Sequence, residues 1–220
     1  MLGRVTHVRN ADVLADVDDP AWTVLQDALA QAARPATVLP VDPAAGRDVL
    51  FRLQVTARSM LGALAVNCGG LVIDEGWLRI LGGGGSGLPD LATANDLVDP
   101  EQAAAPPPYL IVAYDVLGGR FAVDGGGLGV QPGQVCYWAP DTLEWDGLGV
   151  GHTDFVLWSL TDGPTQFYAG LRWPTWLDET RRTPLSEGIA VYPPLFSAEA
   201  YPLENTSRKA VPFEELLSLG

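Results

Sequence analysis

Few residues in this chain are of a type that could do chemistry. Cys68, His152 and Asp154 are a thiol, an imidazole and a carboxylate, the set from which a nucleophilic dyad is made, because a thiolate forms only beside a base. Cys68 precedes Gly69-Gly70 at the end of a helix-like run, however, where a cysteine reads first as a small core residue. The chain holds only 2 histidines, His7 and His152, too far apart for a metal-ligand spacing such as i, i+4. Carboxylates are more plentiful: Asp74-Glu75, Asp115, Asp124, Asp141, Glu144 and Asp146 could pair for acid–base work or hold a hard cation. Aspartate also favours chain reversals, and the D-x-D-x-D-G calcium loop is absent, so most are expected in solvated turns. Gly82, Gly84 and Gly87 satisfy G-x-G-x-x-G after LRIL, but Pro89 follows at once and no βαβ unit surrounds them, so they read as a flexible loop rather than a pyrophosphate cradle. No Gly-Lys-Ser/Thr follows either glycine run, and Ser86, Ser159 and Ser186 lack the G-x-S-x-G elbow. Trp138, Trp145, Trp158, Trp173 and Trp176 could line a groove but are expected as core fillers. No catalytic, cofactor or metal residue is assigned. The residues retained for a partner or ligand surface are Asp74, Glu75, Asp115 and Trp138.

These side chains must be positioned by elements whose signals are clearer. Asp18-Asp19-Pro20 announces a helix with Trp22, Leu25, Leu29 and Ala32 on one face, and Asp42-Pro43 announces a second with Val49, Leu50 and Leu53. TVLPV between them suggests a strand at 37–41. Ser59 is placed to cap a third helix that ends in a left-handed Gly69-Gly70 stop. LVID and WLRIL then read as strands joined at Asp74-Glu75-Gly76. The stretch 82–108, with GGGGSG and Pro106-Pro107-Pro108, reads as a long loop or mobile flap. Tyr109–Tyr114, Arg120–Val123 and Gln134–Ala139 are rich in β-branched and aromatic residues and are separated by LGG, DGGGLG and APD, which predicts a meander with the Gly125–Gly129 run in a hairpin turn. Beyond it, Thr153 is placed to cap DFVLWSL. PTQFYAGL and WPTWLDETRR suggest short helices, GIAVYPPLF is extended, and Pro212 opens a closing helix.

Composition bounds the function. At 220 residues and 47% hydrophobic, one large domain over 1–220 is the default, with 164–220 as a C-terminal extension of it. The formal charge of -14 repels nucleic acid and anionic membranes and favours a basic partner. The 2 cysteines, Cys68 and Cys136, are too few for a disulfide framework and lack C-x-x-C spacing, so they read as buried thiols in a reducing compartment. No signal-peptide core or myristoylation pattern opens the chain, and Ser59–Ile73 is too short and glycine-broken to span a bilayer, so a cytoplasmic location is expected.

Two segments, CGGLVIDEGWLRILGGG at 68–84 and YLIVAYDVLGGRFAVD through HTDFVLWSL at 109–160, together with Leu171-Arg172-Trp173-Pro174, resemble a bacterial family of uncharacterised proteins defined as a domain of unknown function. The likeness runs from DPAW to VPFEEL and implies no activity. More distantly, the order of helices, glycine-rich strand entry, strands and closing helix resembles the SUKH superfamily, many of whose members are immunity proteins or intracellular interaction modules. The insertion at 82–108 and the long C-terminal part depart from that pattern. The expected fold is a single α+β domain, SUKH-like, with a mainly antiparallel twisted sheet of about five or six strands, helices packed on one face and short C-terminal helices at the sheet edge. The expected function is a cytoplasmic, non-enzymatic protein-binding module without a cofactor, taking a basic protein in the manner of an immunity protein. The alternative is a small-molecule enzyme or sensor with a pocket under 82–108.

Overall fold

The computed structural model describes residues 8–218. Asn10 caps a short α1 (Ala11–Ala15) by accepting the Val13 N–H. The following helix, α2 (Ala21–Ala30), begins after Pro20 rather than on it and has no side-chain cap. Asp19 sits at φ +55, and the first amide of the helix, Ala21, donates instead to the Ala57 carbonyl at 3.0 Å. Strand β1 (Ala36–Leu39) leads to α3 (Pro43–Leu53), where Asp42 accepts the Ala44 and Ala45 N–H groups as its residue type predicts. Ser59 caps α4 (Met60–Asn67) through the Gly62 N–H at 3.1 Å. The expected left-handed stop is not used: the helix ends on an extended Cys68, and Gly69 is needed because a Cβ there would lie 2.6 Å from the Pro40 carbonyl oxygen.

Seven strands then form one antiparallel sheet in sequence order. After β1 come β2 (Gly70–Ile73), β3 (Leu78–Leu81), β4 (Tyr109–Asp115), β5 (Arg120–Asp124), β6 (Gln134–Ala139) and β7 (Glu144–Gly151). The last, EWDGLGVG, exceeds the expected strand count because its glycines hide it from propensity. What makes it a strand is pairing with β6, whose edge would otherwise be bare. Asp124 closes the β5–β6 turn by accepting the N–H groups of Gly126, Gly127 and Leu128 at 2.7–2.9 Å, which confirms the glycine run as a hairpin turn.

Register assigns the faces. Ile80, Ala113, Phe121 and Tyr137 stand opposite one another across β3 to β6. Their face packs on α5 (His152–Ser159), where the Phe121 and Phe155 rings are 4.8 Å apart. Helix α5 in turn contacts α4, which packs on α2. It starts after Gly151 without a side-chain cap, so Thr153 lies inside it. The chain continues through α6 (Gly163–Phe167) and α7 (Trp176–Arg182) to a separate two-stranded sheet of β8 (Glu187–Tyr192) and β9 (Ser207–Pro212), and ends in α8 (Phe213–Leu217).

The C-terminal part is divided: α6 sets Phe167 on the first face, its ring 5.0 Å from that of Tyr137, α7 contacts the β2–β3 turn, and the last elements fold back over the second face. The Ile189 N–H donates to the Val116 carbonyl at 2.7 Å, and the Phe213 ring meets Tyr114 edge-on at 5.0 Å. A single hydrophobic cluster runs from Leu25 to Leu203, so the chain is one α+β domain covered on both faces.

The stretch 82–108 is anchored where a flap was expected. Leu88, Leu91 and Ala92 are buried. The Asn95 amide accepts the Ile111 N–H at 2.6 Å and donates to the Ile111 carbonyl at 2.8 Å. It takes the place of a strand partner at the β4 register shift between Ile111 and Ala113, beyond the last β3 pairing. Among the described residues no helix is long and apolar enough to cross a membrane; Ser59–Ile73 is α4, β2 and their link.

Candidate functional site

The residues singled out from sequence are placed apart. Asp74, 2% exposed and at φ +51, lies between two arginines: it accepts from Arg34 Nε, and its other oxygen from Arg172 Nη2 at 2.5 Å. Arg172 lies in turn against two mutually perpendicular rings, its guanidinium 4.0 Å from the Trp176 ring centre and 4.9 Å from that of Trp77. Glu75 pairs at the surface with Arg181 at 3.2 Å. Asp115 is fully buried and accepts the Leu117 and Gly119 N–H groups at 3.0 and 2.9 Å and the Tyr137 hydroxyl at 2.7 Å. Burial raises its pKa, with those bonds opposing. Gly119 is obligatory here, since a Cβ would lie 2.1 Å from Asp115 Oδ2. Trp138, 7% exposed, stacks under the Arg120 guanidinium at 4.6 Å. Asp74 and Asp115 therefore serve the interior, and neither they nor Trp138 present a surface.

The dyad reading finds no support in the thiol. Burial pushes Cys68 up to about 12, and its Sγ donates to the Leu64 carbonyl at 3.5 Å, so it is a protonated core residue near neutrality. Burial lowers His152 to about 4, and both ring nitrogens are enclosed without a partner, although the residue as a whole is only partly buried. His7 lies outside the described residues. Among the described residues no cluster of three or more His, Cys, Asp or Glu could hold a metal. The G-x-G-x-x-G glycines serve packing and turn geometry: a Cβ on Gly82 would meet the Cys68 carbonyl oxygen at 2.5 Å and one on Gly84 the Asp90 amide nitrogen at 2.9 Å, and Gly87 sits at φ +92.

Two other places carry features that residue spacing did not reveal. The first is a single row across the second sheet face, where Arg79, Tyr114, Arg120, Trp138 and Trp145 stand successively opposite one another. Helix α8 lies on this row. Two cavities flank it and share Tyr114 and Leu217 in their walls: one of about 190 Å³ at Arg79 and one of about 320 Å³ at Arg120. Both are roofed by parts of 82–108, the first by Gly87–Pro89 and the second by Ala94–Asp96 and Pro107-Pro108. Arg79 is 1% exposed, and its charge meets backbone carbonyls rather than a bonded carboxylate: Nε donates to Gly76 at 2.9 Å, and Nη1 to Leu185 at 2.9 Å and Glu187 at 2.5 Å. Its signal in the sequence was a lone arginine between Leu78 and Ile80, inside a run read as a strand.

The second place is the connection between β8 and β9. Tyr192, Phe196 and Tyr201 are 73%, 53% and 45% exposed, and they are the exposed large aromatics among the described residues. Leu195, Ala200 and Leu203, interleaved with them, are buried and tie the connection to the body. Glu199 and Glu204 are exposed beside them, and Asp141 from the β6–β7 turn acts on the Tyr201 hydroxyl. Solvated aromatics with carboxylates on the same connection suit a cationic, partly apolar partner surface.

A family model described as "Protein of unknown function DUF2625" matches residues 12–216. The chain is 36% identical over 214 residues to the putative uncharacterized protein YbfG of Escherichia coli (strain K12), an alignment covering 95% of this chain and 94% of that one. It is 30% identical over 208 residues to an uncharacterized protein of Haemophilus influenzae, covering 94% of this chain and 91% of the other. No solved structure matches the chain.

Proposed function

We propose, for a chain that belongs to the DUF2625 family of proteins of unknown function, that it acts as a cytoplasmic protein-binding module whose contact surface is the β8–β9 connection and whose partner is a basic protein. The exposure of Tyr192, Phe196 and Tyr201 on one anchored connection carries this reading, because large solvated aromatics cost free energy that a partner's surface recovers. The charge of -14 supports it, since an acidic surface steers and orients a cationic partner. So does the resemblance to the SUKH superfamily, many of whose members bind proteins, toxins among them.

The test is parallel capture from lysate on the wild type and on the triple variant Y192A/F196A/Y201A, at low and at moderate salt. A stoichiometric basic protein should be held by the wild type and released as salt rises. Its affinity for the triple variant should fall at least about tenfold, the scale on which interface aromatics contribute. A partner held equally by both proteins, or indifferent to salt, would remove the connection or the charge from the account.

A second reading, a small-molecule site beneath 82–108, is favoured by one observation: residues of that segment roof both cavities on the Arg79–Arg120 row. Asp115 and Trp138, once candidates for such a pocket, line neither.

A further inference from the structure

We infer that the smaller cavity, between β3, α8 and the Gly87–Pro89 turn, is a binding site for a small monocarboxylate with a compact apolar body; this rests on the pocket reading above. A guanidinium carries five N–H donors in a fixed fork. Three bonds to the carbonyls of Gly76, Leu185 and Glu187 account for Arg79 Nε and Nη1 and for a structural role in fastening β8 to β3. They leave Nη2 buried without an acceptor. No carboxylate pairs with Arg79 among the described residues: Asp115 acts on it through space, but its oxygens are engaged by Leu117, Gly119 and Tyr137. Burial accordingly draws Arg79 down to about 10, so it remains a cation at neutral pH.

An enclosed cation with both N–H groups of one nitrogen idle is costly, and an anionic oxygen offsets that cost best; with Nε and Nη1 already engaged, a carboxylate meets Nη2 through one oxygen. The cavity that Arg79 lines is small, about 190 Å³, and its other walls are mainly apolar: Leu88, Pro89, Leu185 and the rings of Tyr114 and Phe213. The Phe213 ring centre is 5.6 Å from the guanidinium. Such walls admit a ring or short branched chain behind one carboxylate and would leave a second charged group unpaired. Exposed Glu214 at the rim disfavours a dianion further. Tyr114 lines the same space with its ring, while its hydroxyl, which burial keeps protonated, feels Arg120, Asp96 and Tyr109 of the neighbouring cavity, so Arg79 Nη2 is the polar anchor of this one.

The experiment titrates the full chain with sodium benzoate, with benzyl alcohol as the neutral isostere and with sodium chloride as the ionic control. It follows the side-chain Nε–H resonance of Arg79 by NMR, assigned by its loss in R79K, together with thermal melting. Benzoate should shift the Arg79 resonance saturably and raise Tm, benzyl alcohol should bind at least tenfold more weakly, and R79K should lose at least tenfold in benzoate affinity. L217W, which adds bulk to the cavity wall without touching the guanidinium, should block benzoate and keeps the test valid if R79K does not fold. Equal binding of benzoate and benzyl alcohol would overturn the carboxylate assignment and leave the pocket standing. Absence of saturable binding by either, or a response reproduced by chloride, would overturn both.

Discussion

At Asp115 the fold encloses a carboxylate and then surrounds it with donors, and the balance sets a pH dependence. Burial raises its pKa above the ordinary 3.8, while Tyr137, Gly119 and Leu117 hold the ionised form in part. The folded chain thus keeps this proton to a higher pH than the unfolded chain does. The associated stability is fully present below about pH 3.8 and is lost as pH rises through the raised value. Asp115→Asn can still accept the Leu117 and Gly119 N–H groups but does not ionise. Melting curves from pH 4 to pH 8 should therefore show the wild type losing ground to D115N as pH rises; a difference constant with pH would mean that the carboxylate titrates alike in both states. The same residue shows what spacing conceals. Asp115 belongs to a group of carboxylates expected mostly in solvated turns and is retained as a partner or ligand residue. It does organise a turn, and it is buried because Tyr137, 22 positions on, closes over it.

Among the elements, 82–108 departs most from its composition. Glycine and proline gave it the signature of a flap, and the first half is nonetheless pinned by buried Leu88 and Leu91 and by the Asn95 amide on β4. Replacing Asn95 with Ala leaves the Ile111 N–H and C=O without those partners at a part-buried site, a loss of about 1–3 kcal/mol. N95A should melt lower and show faster amide exchange at Ile111 and across 88–97, while β5–β6 keeps its protection; exchange unchanged at Ile111 would mean that Asn95 does not hold the segment. Elements whose signals are local were legible: the Asp42 and Ser59 caps, the β2–β3 reversal, β4 to β6 and the Asp124 turn all follow from neighbours within a few residues. Strand β7 was not, because its glycines carry no propensity and only β6 makes it a strand.

For the molecule as a whole, a formal charge of -14 on 220 residues means net self-repulsion. Raising ionic strength from about 10 mM to about 150 mM shortens the Debye length from about 30 Å to about 8 Å and should raise Tm. A fall would show that attractive pairs such as Arg47–Asp12 and Arg181–Glu75 outweigh the net repulsion. Charge, the α+β class and the β4–β6 meander were determined by the sequence itself, because they depend on composition and on residues close in the chain; the order of the whole sheet was not. Only the tertiary structure decided which charged groups are inside, which cavities exist and which aromatics stay wet. The bonds responsible join residues far apart: Arg172 reaches Asp74 across 98 positions, and Arg79 reaches Leu185 and Glu187 across 106 and 108. Such contacts form only when the C-terminal part folds back over the sheet, and no periodicity within a single segment encodes where it will land.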